Sequence, residues 1–161
     1  MDKKKRYLEL LIEKQLSFDK ISEELKIDRK MVSEWYEELR PERESLAKVR
    51  TIWLNKELQN IPLMEFNEWY TTNRECYYCG ITEDKIAILF DKKAIYTKRN
   101  RGKKLEIDRK MPEKEYKEGI ENLVHSCYWC NNGKTDTFTS AEFKEIGKVI
   151  SVIWEKRLEK C

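Results

Sequence analysis

Two C-x-x-C pairs, Cys76 with Cys79 and Cys127 with Cys130, constrain this chain more than any other feature. Two thiols separated by two residues can grip one ion from a single tight turn. Two such turns supply the four thiolates of a closed tetrahedral zinc centre. The competing readings of four cysteines are a pair of disulfides or ordinary small core residues. Met1 to Arg6 is charged, and the apolar run after it is broken by Glu9 and Glu13. No secretory signal is therefore expected, and a reducing cytoplasm favours metal over disulfides. The fifth cysteine, Cys161, has no partner nearby in sequence.

The chain has 161 residues, enough for one domain or two small ones, and a structural zinc removes the need for a large core in the second. Its 33 Lys and Arg against 30 Asp and Glu leave a net charge of +3, which argues only weakly for a nucleic-acid partner. No apolar run approaches the roughly 20 residues that cross a bilayer. A soluble, cytoplasmic protein is expected.

Apolar spacing divides Met1 to Leu39 into three helices. The first carries Tyr7, Leu8, Leu11 and Ile12 behind a basic cluster from Lys3 to Arg6, and the second carries Phe18, Ile21 and Leu25. After a break at Lys26-Ile27, Asp28 can cap a third helix with Met31, Val32, Trp35 and Leu39 on one stripe. Residues 1–40 thus resemble a helix-turn-helix, which would present Arg29, Lys30, Ser33 and Tyr36 to a DNA groove. Glu34, Glu37 and Glu38 would repel phosphates there, and a three-helix packing module without a ligand is the other reading. Pro41 opens a long helix to Leu58, with Leu46, Val49, Ile52 and Trp53 as its seam, read as a connector over residues 41–60. Pro62 starts a short helix with Phe66, Trp69 and Tyr70, aromatics whose spacing suits a core.

Residues 61–161 hold both cysteine pairs. Ile81 to Phe90 reads as a helical or extended cover for the metal. Lys92 to Lys104 is the most basic stretch, with Lys92, Lys93, Lys98, Arg99, Arg101, Lys103 and Lys104, and can track phosphates. Leu105 to Arg109 alternates apolar and charged side chains as a strand does, which puts Glu106 and Asp108 on one face. Glu106 reads either as a solvated strand residue or as a second carboxylate for a hard cation. Thr139-x-x-Glu142 looks like a capping box opening a helix striped with Phe143, Ile146, Ile150, Ile153, Trp154 and Leu158. The expected class is α+β and mostly helical.

The run C-x-x-C, a strand ending in Asp108-Arg109, then N-L-x-x-x-C-x-x-C-N-x-x-K-T from Asn122 resembles the zinc-stapled HNH nucleases of the ββα-metal class, from about Glu65 onward. That resemblance implies structural Zn²⁺ on Cys76, Cys79, Cys127 and Cys130. It further implies a catalytic divalent cation, Mg²⁺ or Mn²⁺, on Asp108 and Asn131, and makes Asn122 the anchor of the hairpin loop. Lys134 would follow the last cysteine closely enough to reach DNA phosphate, or lie at the surface as one lysine among many.

The common form of the family has a His base after the Asp, where this chain has Arg109. A guanidinium stays charged at neutral pH and cannot accept a proton. A subset of the class is similar in carrying Asp-Arg, with the Arg on the scissile phosphate, so the base falls to another group. Tyr116, in the loop between the strands, and His125, the chain's one histidine, are the candidates, and His125 reads equally as a packed strand residue. The expected function is a metal-dependent endonuclease on double-stranded DNA, with a homodimer suggested if both strands are cut. The rival is a non-catalytic zinc-containing DNA-binding regulator with a degenerate site, and a nuclease acting on structured RNA is a third reading.

Overall fold

The computed structural model describes residues 2–97 and 101–161. Its elements are mostly helical with one two-stranded sheet, the α+β class expected from the sequence. Two compact units divide the chain, Met1–Tyr70 and Thr71–Cys161. Among the described residues no helix is long and apolar enough to cross a membrane.

In the first unit α1 (Lys3–Leu8) runs on into a π-helical turn, Glu9–Glu13. Ser17 caps α2 (Phe18–Leu25) by accepting from the Lys20 amide. The chain then turns at Lys26, whose φ of 51° is left-handed, and Asp28 caps α3 (Arg29–Glu38) through the Lys30 amide. Both caps satisfy amide groups that the first helical turn leaves without partners. Tyr7, Leu10, Ile21, Leu25, Val32 and Leu39 form the core of these helices. Met31, expected on the inward stripe of α3, is 40% exposed, because the core accepts Val32 beside it instead. α4 (Arg40–Asn55) has Pro41 in its first turn, where a missing N–H costs nothing, and buries Leu46, Val49 and Trp53. The Trp53 indole donates to the Ile61 carbonyl at 2.8 Å, and Glu13 accepts from the Leu63 amide at the start of α5 (Leu63–Thr71).

The second unit begins with a knuckle. Gly80 closes it at φ +70°, donating its amide to Cys76, while the Cys76 amide donates to Ile81. Thr82 caps α6 (Glu83–Asp91), the segment whose character the sequence left open, and α6 turns Ile86 and Leu89 into a core shared with all four knuckle cysteines. β1 (Glu106–Arg109) and β2 (Leu123–Ser126) pair antiparallel, with Ile107 opposite His125 and Asp108 opposite Val124. Cys127 caps α7 (Tyr128–Lys134), and the Thr139–Glu142 capping box opens α8 (Ser140–Leu158). The seam of α8 is Phe143, Gly147 and Trp154, with Ile150 and Leu158 half-covered. Ile146 and Ile153, expected on that seam, are 40% and 42% exposed, because Gly147 lets the helix backbone close on the knuckle and turns them outward.

Candidate metal centre and active site

The four cysteines that are distant in sequence meet in space. Their sulfurs all lie within 4.8 Å of one another, every one is buried, and Cys79 Sγ is 3.8 Å from Cys127 Sγ. A tetrahedral ion with metal–sulfur bonds of about 2.3 Å spaces its sulfurs about 3.8 Å apart, the separation of Cys79 and Cys127, so the cluster could hold zinc. Charge points the same way. Hydrogen bonds from the Cys127, Cys130 and Cys79 thiols hold Cys76 far below the ordinary thiol range, while the bond to Cys127 and then those to Cys76 and Cys79 push Cys130 far above it. One buried thiolate therefore opposes the ionisation of the next, a repulsion that a bound cation would relieve.

The knuckle also builds the sheet. The Tyr77 amide donates to the His125 carbonyl at 2.8 Å, which fastens the first cysteine turn to the edge of β2. The second cysteine turn becomes the start of α7, laid across β1. One turn of α7 separates Asn131 from Lys134, and one pleat of β1 separates Glu106 from Asp108. The two pairs face each other. Asn131 donates to Glu106 at 2.6 Å, and the Lys134 ammonium sits 3.6 Å from Asp108 Oδ2.

Lys134 is therefore neither a phosphate-reaching nor a surface residue. It is 1% exposed and is the buried counter-ion of Asp108. Asp108 also accepts from the Tyr78 hydroxyl at 2.8 Å and from the Arg109 amide at 2.8 Å. Burial, and after it the adjacent Asp108 carboxylate, push the Tyr78 hydroxyl well above the usual tyrosine value, which keeps it a proton donor to Asp108. Tyr78 carried no mark in the sequence beyond lying inside the first C-x-x-C.

Arg109 ends β1 at the edge of this arrangement. Its guanidinium donates to Asp136 at 2.9 Å and to the Lys114 carbonyl at 3.3 Å, and stands 5.0 Å from the centre of the Tyr116 ring. The Tyr116 hydroxyl donates to the Ile107 carbonyl at 3.4 Å, so Tyr116 and Arg109 share one edge of β1. His125 lies elsewhere. Pairing with Ile107 places it on the sheet face opposite Asp108, where it is buried. The buried Asn122 accepts from the Met111 amide at 2.9 Å and receives the Lys110 amide on its carbonyl, which pins the start of the hairpin loop.

Of the basic stretch, Lys98 and Arg99 lie outside the described residues. Arg101 and Lys103 are exposed, and Arg101 leans on Tyr128, 5.4 Å from its ring centre, with Glu106 at 3.5 Å. Gly102 is buried against the Tyr128 side chain at φ +81°, where a Cβ would come within 3.1 Å, so the loop is held at the N-terminal end of α7. In the first unit Arg29 donates to Asp19 and Ser33 at 2.8 Å each and lies over Phe18, whereas Lys30 is open to solvent.

No family model matches the sequence, and no curated protein matches it. Among solved structures, the rare-cutting HNH restriction endonuclease PacI, described for its perturbation of DNA, is similar with a TM-score of 0.53 over 71% of this chain and 79% of that one, at 24% identity. The likeness is one of fold; in the second unit β1, β2 and α7 follow in ββα order, and the four-cysteine cluster beside them could hold zinc.

Proposed function

We propose that this protein is a metal-dependent endonuclease acting on double-stranded DNA, with a catalytic centre at the ends of β1 and α7. The observation that carries the reading is the facing of Glu106 and Asp108 on β1 by Asn131 and Lys134 on α7, Asn131 against Glu106 and Lys134 against Asp108, beside the cysteine cluster and with Arg109 at the rim. Carboxylate and amide oxygens are hard donors that suit Mg²⁺ or Mn²⁺. Asp108 and Asn131 would hold such a cation, which when bound would supply charge stabilisation at a phosphodiester and a more acidic water. Tyr78 and Lys134 orient the Asp108 carboxylate through three hydrogen-bonding and ionic contacts with the Arg109 amide included. Arg109 offers two parallel N–H groups to the phosphate oxygens. Tyr116, in contact with Arg109, is the residue of the expected pair that lies near the reacting edge. Arg101 and Lys103 line the approach, with Lys98 and Arg99 preceding them in sequence. The α2–α3 pair would add DNA contacts through Lys30 and, once released from Asp19, Arg29 and Ser33. Cutting both strands would suit a homodimer.

A second reading is favoured by one specific feature. Asp108 is neutralised by Lys134, and Arg109 is occupied by Asp136, as in a DNA-binding regulator whose site no longer turns over. Incubation of the protein with plasmid and Mg²⁺ or Mn²⁺, beside an Asp108→Ala variant, separates the two. Metal-dependent nicking that the variant lacks supports hydrolysis. A gel shift without cleavage by either protein supports the regulator, and cleavage confined to structured RNA would reassign the substrate.

A further inference from the structure

Ten large apolar side chains are exposed among the described residues, and four of them lie on α8: Ile146 at 40%, Val149 at 62%, Val152 at 47% and Ile153 at 42%. Scattered exposed aliphatics are ordinary, whereas a contiguous row on one helix marks a surface that meets something. The row has an internal order. Glu142, Ile146, Val149, Ile153 and Lys156 follow one another at intervals of four, three, four and three residues, the seam spacing of a two-helix coiled pair. It is distinct from the seam of Phe143, Gly147 and Trp154 by which α8 covers the knuckle.

We propose that this outer face of α8 is a self-association surface, on which a second copy of the chain docks its own α8 antiparallel. The charges choose the partner and the direction. An acid closes the row at its N-terminal end and a base at its C-terminal end, and both Glu142 and Lys156 are exposed. Run antiparallel about Val149, one copy sets its Glu142 beside Lys156 of the second copy and its Ile146 beside Ile153 of the second copy. Run parallel, the same row brings Glu142 to Glu142 and Lys156 to Lys156. A two-fold interface needs a patch complementary to itself, and the antiparallel arrangement meets that condition. The face is one helix wide, less than the roughly 800 Å² per partner of a standard interface, so association is weak.

Sedimentation equilibrium of the full chain tests this without reference to any nuclease activity, so its outcome stands apart from the proposed catalysis. The average mass should climb from monomer towards dimer between about 1 µM and about 500 µM. Val149→Glu with Ile153→Glu should hold the mass at monomer throughout, while the circular dichroism spectrum stays that of the parent. Lys156→Glu should weaken association, because it sets acid against acid at both ends of the antiparallel pair. A parent chain that stays monomeric at the highest concentration overturns the proposal. So does a dimer that the glutamate variant leaves intact, since it would use another surface.

Discussion

Lys134 is an ammonium buried to 1% beside a carboxylate buried to 9%, and it joins α7 to β1. Taking one partner from such a pair leaves an uncompensated charge in a dry place, which costs about 3–5 kcal/mol, while taking both costs much less. Lys134→Ala and Asp108→Ala should therefore each lower urea stability by about that amount, and the double variant should fall well short of their sum. Additive losses in the cycle would mean that the two groups do not interact as drawn. The Arg109–Asp136 pair behaves oppositely, because Asp136 is 80% exposed. Asp136→Ala should move stability by under about 1 kcal/mol, yet it releases the guanidinium, and duplex DNA should bind more tightly by fluorescence anisotropy. Weaker binding by that variant would make Asp136 a support for Arg109 in place of a competitor. The burial of Lys134 was legible in principle. Cys127, Cys130, Asn131 and Lys134 fall on one face of a helix, and the cysteines face inward. Nothing comparable marks Asp136, whose role depends on where the chain goes after α7.

At the scale of elements, the caps were the clearest signals. Asp28, the Thr139–Glu142 box and the proline at the start of α4 each act where they were expected. Which face of α8 turns inward was harder to read. Its sequence carries two apolar stripes, and periodicity alone cannot say which one is buried. The deciding residue is Gly147, where a Cβ would stand 2.3 Å from the Tyr78 carbonyl oxygen. The helix backbone crosses the first cysteine turn at that point. Gly147→Ala should cost about 1–3 kcal/mol through overpacking, although alanine is the better helix former. Equilibrium denaturation checks the sign, and a stabilised variant would show that α8 does not approach the knuckle so closely. Because Tyr78 also donates to Asp108, the same substitution should disturb the candidate active site more than its stability cost alone would suggest.

At the scale of the molecule, the two units draw on different sources of stability. The first is held by side chains such as Tyr7, Ile21, Val32 and Trp53 without a metal cluster among its described residues, whereas the second has the four cysteines at the centre of its core. A structural zinc in a small domain supplies apparent binding energy of about 10–16 kcal/mol near neutral pH, which is then part of the folding free energy. Removing a zinc ion held by the four cysteines should therefore act on one unit. With a strong chelator, calorimetry should show a transition from the first unit that is unchanged and a second that is lost or moved far down in temperature, and far-UV circular dichroism should retain the helices of the first. Acid should imitate the chelator. The ligands are thiolates in the bound form, so metal binding releases protons, and lowering the pH returns them, weakens binding and lowers the stability of the second unit while leaving the first to its own titration. If chelation leaves both transitions in place, the cysteines are a thiol core and the staple is absent. If both units melt together, the division at Tyr70 does not describe how the chain folds.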